Sequence, residues 1–177
     1  MSFPVLGVRR LGTGVFIALD QLHLIAPDGR PTRRDVVRHP GGVGILPIDG
    51  ADVLFVSQYR IAFGERMLEI PAGKLDRIGE SPRAAAEREL EEEIGASAPT
   101  LIPLGTLAPS PGYTDEVIHL FAAPSIVPGN RRPEGAEEHD ANTVRMPLTE
   151  AYRLVDAGEI VDSKTQIALM AWSRRTE

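Results

Sequence analysis

Length, composition and charge limit what this chain can be. Its 177 residues, 42% of them hydrophobic, are enough for one globular domain with at most a small extra subdomain. A net charge of −6 argues against a broad basic face for nucleic acid or an anionic membrane. The chain has no cysteine, and its N-terminus lacks the basic start and continuous apolar segment of a signal peptide. We therefore expect a soluble cytoplasmic protein that binds neither nucleic acid nor membrane.

The N-terminal part of the chain predicts a small β-sheet. The stretch VFIALDQLHLI alternates imperfectly between apolar and polar residues, APDGRPT has turn residues, and RRDVVRH returns as the second arm of a hairpin. We expect residues 1–39 to form an N-terminal β subdomain and residues 40–177 to form the main domain.

The main domain mixes predicted strands and helices. VGILPI and DVLFVSQYR are separated by Asp49 and Gly50 and are predicted to pair as central strands. RMLEIPAGKLD, LIPLGTL, VIHLFAA and VRMPL predict further extended segments, and PGNRRPEGAEEHDAN predicts an exposed loop. Helices are predicted over residues 149–157 and 163–174. This order is typical of a mixed α/β or α+β sandwich.

A helix is predicted between Ser81 and Gly95. Ser81 is a good N-cap, the proline after it suits the first helical position, and Gly95 suits a left-handed residue after the last turn. At about 100° per residue, Ala86, Leu90 and Ile94 form one apolar stripe. This stripe is expected to face the core.

Glutamates lie beside that stripe. Glu89 and Glu93 are one turn apart, so their carboxylates repel each other unless a cation lies between them. Mg²⁺ prefers a few carboxylates together with phosphate oxygens of a substrate. A solvated acidic helix, with Arg83 and Arg88 as partial countercharges, is the alternative interpretation.

The segment GKLDRIGESPRAAAERELEEEIGA resembles the Nudix box, G-x5-E-x7-R-E-U-x-E-E-x-G-U, in which U is a bulky apolar residue. From Glu80 onward the spacing matches, with seven residues before Arg88 and then ELEEEIG. The sequence departs from the pattern twice: six residues separate Gly73 from Glu80, and Ala96 occupies the last apolar position. The extra residue precedes the helix, so it lengthens a loop and leaves the carboxylate spacing unchanged.

The resemblance implies a Nudix α/β/α sandwich with a mixed sheet and a small N-terminal antiparallel β-sheet. It also implies hydrolysis of a nucleoside diphosphate linked to another group, with Mg²⁺ or Mn²⁺ as cofactor. Glu89, Glu93 and the carbonyl oxygen of Ala72 would be metal ligands, and Glu92 a further ligand or an acid–base group.

Two other box residues have implied supporting roles. Arg88 would orient the glutamates, and it is also placed to pair within the helix with Glu92; the two roles are compatible. Glu80 is expected to brace the loop before the helix.

The flanks of the box resemble ADP-ribose pyrophosphatases. The QYR preceding LEIPAG implies that Arg60 contacts a phosphate or the terminal ribose, against the alternative of a surface arginine at a strand end. Glu69 would support the metal loop or be a buried structural residue. Pro111 lies sixteen residues after Gly95, as a proline does in that subfamily. This second flank is called here the SPG flank, after Ser110, Pro111 and Gly112. The substrate-binding residues implied by it are Ser110, Pro111, Gly112 and Glu116.

The resemblance to the subfamily implies that the general base lies in the loop GAEEHDAN, where its members usually carry an acidic pair ahead of the strand equivalent to VRMPL. Alignment with that position, counted back from Pro147 without a gap, selects His139, and a shift of one residue selects Glu138 or Asp140. Glu138 is the first choice and Glu137 the second, because an ionised carboxylate accepts a proton from the attacking water. The alternative is that this loop is only a solvated acidic run.

These features together predict an enzyme that cleaves ADP-ribose to AMP and ribose 5-phosphate. Analogy with the subfamily implies a homodimer formed through the N-terminal sheet. Hydrolysis of another nucleotide sugar, such as GDP-mannose, is the alternative within the same class. A Nudix module that binds ADP-ribose without cleaving it is disfavoured by the intact set of Arg88, Glu89, Glu92 and Glu93. Removal of oxidised nucleoside triphosphates is disfavoured by the QYR and SPG flanks.

Overall fold

The chain divides into two compact units. The computed structural model describes residues 3–133 and 139–176. The first unit comprises Met1–Gly41 and Ala108–Val117, and the second comprises Gly42–Leu107 and Ile118–Glu177. The first unit therefore includes a segment that lies far along the chain from its N-terminal part.

The first unit contains a three-stranded antiparallel sheet in the order β1-β2-β3. Its strands are β1 (Val5–Thr13), β2 (Ala18–Ile25) and β3 (Pro31–Arg38). The predicted hairpin is confirmed, since β2 and β3 pair without interruption from Ala18↔Arg38 to Ile25↔Pro31. Strand β1 is an addition to the prediction, because its sequence VLGVRRLGT has no clean alternation and all nine of its residues are exposed.

Arginine–aspartate pairs join the two chain segments of this unit. The buried Asp20 carboxylate bonds to Arg10 and, at 3.0 Å, to Arg38. Hydrogen bonds from these two arginines lower the pKa of Asp20. Arg38 also bonds to Asp115 at 2.9 Å, and Asp115 accepts the backbone N–H of His39 at 3.0 Å. These bonds tie Ala108–Val117 to the end of β3.

The second unit is built on a seven-stranded mixed sheet and a small two-stranded one. Its strands are β4 (Gly42–Asp49), β5 (Asp52–Arg60), β6 (Glu65–Glu69), β7 (Ala72–Lys74), β8 (Ala96–Ser97), β9 (Ile102–Leu107), β10 (Ile118–Ala123), β11 (Val127–Pro128) and β12 (Asn142–Pro147). β8 pairs with β11, and the others form the larger sheet.

Strands β4 and β5 pair only beside their connecting turn. The two pairs are Ile48↔Val53 and Asp49↔Asp52, after which the strands separate. β5 then pairs with β6 and β12, whereas β4 pairs with β7 and, in parallel, with β10. The predicted pairing of these central strands is therefore confirmed only at the turn. Their separation gives β4 room to take β7 as a neighbour.

Helices cover both faces of this sheet. They are α1 (Pro82–Glu89), followed by a π-helical turn (Leu90–Ile94), then α2 (Leu148–Asp156) and α3 (Ser163–Thr176). Val43 and Ile45 of β4 pack in a cluster with residues of α1, while Leu46 and Ile48 pack in a second cluster with residues of α2 and α3. Successive residues of a strand point to opposite faces, so a strand buried on both sides reads as a continuous apolar run. The predicted α/β/α sandwich and both predicted C-terminal helices are confirmed.

None of the described helices combines the length and the apolar character that crossing a membrane would require.

Candidate active site

The glutamate-rich helix begins and ends as its sequence predicts. Ser81 is the N-cap, and its hydroxyl accepts the backbone N–H of Ala84 at 3.2 Å. Gly95 is left-handed with φ +71°, and its N–H donates to the carbonyl oxygen of Glu91 at 3.0 Å. The predicted apolar stripe is confirmed as well, since Ala86 and Leu90 are fully buried against β4.

The last part of the helix differs from the prediction. A regular α-helix was expected up to Ile94, but residues from Leu90 onward form a π-helical turn. π-Turns of this kind inside helices often occur at functional sites. Two adjacent glutamates of this turn, Glu92 and Glu93, are both buried, with 8% and 3% of their surface exposed, whereas the side chain of Glu91 is 49% exposed.

Glu89 and Glu93, called here the carboxylate pair, both face strand β7. Glu93 Oε2 accepts the backbone N–H of Ala72 at 2.9 Å. A Cβ atom at Gly73 would lie 1.8 Å from Glu89 Oε1 and 2.5 Å from Glu89 Oε2. Only a residue without a side chain therefore allows the Glu89 carboxylate to approach the backbone this closely. Glu89 and Glu93 are 5% and 3% exposed, so both carboxylates are held in a largely dry environment.

Arg88 bonds to three of the neighbouring glutamates. Its Nε and Nη2 donate to the two carboxylate oxygens of Glu80 at 2.9 and 3.0 Å. Its Nη1 donates to Glu89 Oε1 at 2.5 Å and to Glu92 Oε2 at 2.8 Å. A bidentate pair of this kind fixes orientation as well as distance. Arg88 thus bonds to Glu89 and Glu92 of its own helix and, at the same time, to Glu80 in the loop before the helix.

These bonds also shift pKa values. The hydrogen bonds from Arg88 hold the pKa of Glu80 below its usual range. The hydrogen bonds to Glu80, followed by the charge of Glu89, raise the pKa of Arg88, although burial opposes this. Glu80 and Arg88 are therefore both ionised near neutral pH. A second arginine, Arg77, donates to Glu92 Oε1 at 3.2 Å, so both oxygens of Glu92 are bonded to guanidinium groups.

The residues around β7 fit a divalent cation of the magnesium type. Within residues 3–133 and 139–176, no set of three or more acidic or histidine side chains is arranged to hold a metal. The carboxylate pair, however, presents two buried carboxylates to the backbone of Ala72 and Gly73. Mg²⁺ is commonly held by one or two carboxylates, with waters and substrate phosphates completing an octahedron of oxygen ligands. The donor chemistry of this site meets that requirement.

Arg60 is held by a buried carboxylate. Its Nε and Nη2 donate to the two oxygens of Glu69, each at 2.6 Å, and Glu69 is 1% exposed. Burial raises the pKa of Glu69, but the Arg60 hydrogen bonds and the nearby charge of Lys164 outweigh burial and lower it to about 2. The Arg60 side chain keeps 33% of its surface exposed. The guanidinium is thus fixed in direction on a side chain that is about one-third exposed.

The four residues predicted from the SPG flank lie in the first unit. The N–H groups of Tyr113 and Thr114 both donate to the carbonyl oxygen of Ser110 at 3.2 Å, which closes a turn around Pro111 and Gly112. Glu116 Oε1 lies 3.6 Å from Nδ1 of His39. These residues therefore belong to one ordered turn and the segment after it.

The residues predicted as general base are only partly described. Glu137 and Glu138 lie outside the described residues. Asp140 bonds to Arg66, with 2.7 Å between Oδ2 and Nη1, and its side chain is 62% exposed. His139 is exposed. The ion pair with Arg66 gives Asp140 a structural partner on strand β6.

Several supporting residues escaped the sequence analysis. Arg77 lies in the lengthened loop before the helix and carries no motif signal. Lys164 and Thr165 are polar residues near the start of α3, with 7% and 0% of their surface exposed. Their only sequence signal is the DSKT segment at the predicted start of a helix, where a polar cap is ordinary. Their contacts with Glu69 and Ile70 span 95 positions and cannot be inferred from local sequence.

A mixed sheet between helix layers, with buried glutamates of one helix directed at a glycine-containing strand, defines the Nudix class of fold. The NUDIX domain family matches residues 38–166. The match covers most of the chain, and the protein belongs to this family.

Comparisons with individual proteins agree with the family. The chain is 36% identical over 144 residues to an ADP-ribose pyrophosphatase of Bacillus subtilis (strain 168), covering 81% of this chain and 77% of the relative. It is 38% identical over 163 residues to an ADP-ribose pyrophosphatase of Mycobacterium tuberculosis (strain ATCC 25618 / H37Rv), covering 92% and 79%. A solved structure described as an ADP compounds hydrolase superposes with a TM-score of 0.83 at 25% identity, covering 98% of this chain and 94% of that one.

Proposed function

We propose that this protein is a magnesium-dependent pyrophosphohydrolase that cleaves ADP-ribose to AMP and ribose 5-phosphate. The observation that carries the proposal is the carboxylate pair, buried and directed at the backbone of Ala72 and Gly73. The similarity to two ADP-ribose pyrophosphatases over most of the chain supports the choice of substrate. Mn²⁺ is a second cation with the same preference for oxygen ligands.

The reaction requires residues that hold a divalent cation and a residue that keeps those ligands in place. Glu89, Glu93 and the Ala72 carbonyl would hold the cation, with Glu92 as a further ligand or acid–base group. When bound, a divalent cation neutralises the pyrophosphate and makes water a better nucleophile at neutral pH. Arg88 keeps the Glu89 and Glu92 carboxylates in place through its hydrogen bonds. Water adds to one phosphorus and gives a proton to the general base, the bond from that phosphorus to the bridging oxygen breaks, and the two phosphate monoesters AMP and ribose 5-phosphate leave.

Substrate contacts are assigned to two groups of residues. The guanidinium of Arg60, fixed by Glu69 and partly exposed, is suited to bind a phosphate or the terminal ribose. The remaining contacts are proposed from the resemblance of the SPG flank to the subfamily and comprise Ser110, Pro111, Gly112 and Glu116. For the general base we propose Glu138 first and Glu137 second.

An activity assay tests this function. Purified protein with Mg²⁺ is expected to release AMP from ADP-ribose, and Glu93→Gln is expected to lower kcat by about 100-fold or more. The amide oxygen of glutamine still accepts the Ala72 N–H, so this variant should keep the wild-type melting temperature. Glu91→Gln is the matched control, because Glu91 lies on the same turn but is half exposed. Its activity should equal that of the wild type.

The same assay separates the alternatives. Release of GMP from GDP-mannose, with no AMP from ADP-ribose, would keep the chemistry and replace the substrate. Binding of ADP-ribose by calorimetry without any turnover would indicate a binding module. Wild-type activity in Glu93→Gln would contradict the assigned role of the carboxylate pair.

We further propose that the protein is a cytoplasmic homodimer that uses its N-terminal sheet as the interface. Large apolar side chains are exposed on and beside β1, including Val5 at 54%, Leu6 at 67% and Val8 at 56%. Exposed apolar groups collected on one strand are typical of an interaction surface.

A further inference from the structure

The link between β6 and β7 consists of Ile70 and Pro71, and other elements hold it in place. The backbone N–H of Ile70 donates to the hydroxyl oxygen of Thr165 at 2.8 Å. The carbonyl oxygen of Pro71 accepts the N–H of Ile45, on β4, at 2.9 Å. Helix α3 and strand β4 therefore fix the backbone immediately before β7, the strand to which the carboxylate pair is directed.

The direction of the Thr165 hydroxyl is set by Asp162, which precedes the helix. Thr165 donates its hydroxyl hydrogen to Asp162 Oδ2 at 2.5 Å, and its backbone N–H donates to the same oxygen at 2.9 Å. An ionised carboxylate only accepts hydrogen bonds, and a hydroxyl has one hydrogen. The hydroxyl hydrogen is therefore directed at Asp162, and a lone pair is left for the Ile70 N–H.

Lys164 fixes the residue before Ile70. Its Nζ donates to Glu69 Oε2 and, at 3.0 Å, to Asp162 Oδ1. Thr165, Ile70 and Glu69 are 0%, 0% and 1% exposed, so water does not compete for these bonds. Bonds to charged groups in such a site are stronger than exposed ones, and losing one partner leaves a buried polar group unsatisfied. We call Asp162, Lys164 and Thr165 the α3 cap cluster.

We propose that Thr165, oriented by the rest of the α3 cap cluster, is a positioning residue that sets strand β7 against the carboxylate pair. This inference rests on the proposed function, because it concerns the same metal site. The reason is that this site tolerates only small displacements of β7 relative to the two carboxylates. Glu93 bonds to the N–H of Ala72, and Glu89 lies against Gly73 at a distance that admits no extra atom. A small shift of the preceding residues therefore separates β7 from its carboxylates.

Thr165→Val tests the proposal, because valine has nearly the shape of threonine but no hydroxyl. We expect Thr165→Val to bind Mn²⁺, measured without substrate by electron paramagnetic resonance, about tenfold more weakly than the wild type. Its kcat for AMP release should fall by about the same factor, with KM nearly unchanged. Thr165→Ser keeps the hydroxyl and should restore both values. Amide hydrogen exchange in the peptide containing Ile70 should be faster in Thr165→Val than in the wild type or in Thr165→Ser.

Two further variants separate positioning from simple stability. Ile160→Val removes one methyl group from a buried side chain near the start of α3 and lowers stability without removing any hydrogen bond of the α3 cap cluster. It should bind Mn²⁺ as the wild type does. Asp162→Asn keeps a good helix cap but loses the carboxylate that orients Thr165 and pairs with Lys164. It should weaken Mn²⁺ binding, and it provides the test if Thr165→Val does not fold.

The outcomes distinguish this inference from the proposed function. Wild-type Mn²⁺ affinity in folded Thr165→Val, or an equal loss of affinity in Ile160→Val, would overturn the positioning role while leaving the substrate assignment intact. If the wild type binds Mn²⁺ but releases no AMP from ADP-ribose, the substrate assignment fails and the Mn²⁺ affinities still decide the positioning role. Failure of the wild type to bind Mn²⁺ would contradict both the positioning role and the proposed function.

Discussion

The absence of a side chain at Gly73 is what permits the Glu89 carboxylate to lie against strand β7. Gly73 is not among the glycines with a positive φ angle, so its backbone conformation is open to other residues. What excludes them is the Glu89 carboxylate, whose oxygen would lie 1.8 Å from a Cβ atom. The resemblance to the Nudix box gives this glycine its place in a motif, whereas the structure gives the physical reason for it.

Gly73→Ala is therefore expected to lower catalytic activity more than it lowers the stability of the fold. The added methyl group must displace the Glu89 carboxylate or β7, and we expect a loss in kcat of about 100-fold or more. Activity on ADP-ribose and thermal unfolding are the measurements. Gly12→Ala, on an exposed strand with nothing within 4 Å of the added atom, is the control and should be fully active. Wild-type activity in Gly73→Ala would show that Glu89 does not need its observed position.

At the scale of elements, one buried carboxylate joins three parts of the second unit. Glu69 ends β6, and it receives hydrogen bonds from Arg60 at the end of β5 and from Lys164 near the start of α3. Breaking a buried ion pair by removing one partner is costly, because the other charge is left uncompensated. This connection joins the partly exposed Arg60 to the residue that precedes the β6–β7 link.

The lowered pKa of Glu69 predicts a pH dependence of stability. Its pKa is about 2 in the folded protein and near 4.5 in an unfolded chain, so the folded state favours the ionised form. The stabilisation is complete above pH 4.5 and is lost as the pH falls toward 2, amounting to roughly 3 kcal/mol. The difference in unfolding free energy between the wild type and Glu69→Gln, from denaturant titrations between pH 3 and 7, should therefore shrink on acidification.

The exposed pair between Glu159 and Arg153 supplies the control. The two side chains are 58% and 56% exposed and lie 3.5 Å apart. Exposed pairs contribute little to stability. Glu159→Gln should thus differ from the wild type by a small amount at every pH. A difference between the wild type and Glu69→Gln that does not change with pH would contradict the assigned ion pairs.

Local chemistry explains which elements the sequence predicts well. The caps at Ser81 and Gly95, the apolar stripe and the C-terminal helices all depend on neighbouring residues, and the structure agrees with them. The π-helical turn after Glu89 and the separation of β4 from β5 leave no mark in the local residue pattern. Periodicity distinguishes neither a π-turn from an α-turn nor a partial strand pair from a full one, so the sequence predicted a regular helix and a full strand pair instead.

The residues of the site also divide into those that local sequence predicts and those that it does not. The helical spacing predicted that the glutamates lie beside the apolar stripe, and the resemblance implied that Arg88 orients them. Both depend on residues of one helix, and the structure shows Glu89, Glu92 and Glu93 buried, with Arg88 bonded to Glu89 and Glu92. The partners of Arg60 and Ile70 come from segments distant in sequence, and no motif pointed to them. The segment Ala108–Val117 likewise gave no sign in sequence that it would group with the N-terminal sheet.

At the scale of the whole molecule, the exposed apolar residues of β1 lead to a prediction about assembly. If β1 lies in a homodimer interface, the wild type should have twice the chain mass in sedimentation equilibrium. Val8→Glu places a charge in that interface, and an unpaired buried charge costs more than the 1.4 kcal/mol that corresponds to a tenfold change in affinity. We therefore expect its dimer dissociation constant to rise by about tenfold or more.

The control for this test is an exposed apolar residue away from β1. Met170, on α3, is 49% exposed, close to the 56% of Val8, so Met170→Glu adds the same charge at similar exposure. Because both side chains are exposed in the single chain, neither variant should change its secondary structure. A lower mass for Val8→Glu alone supports an interface at β1. If the wild type and both variants all have the mass of a dimer, the interface lies elsewhere. A monomeric wild type would contradict the dimer itself.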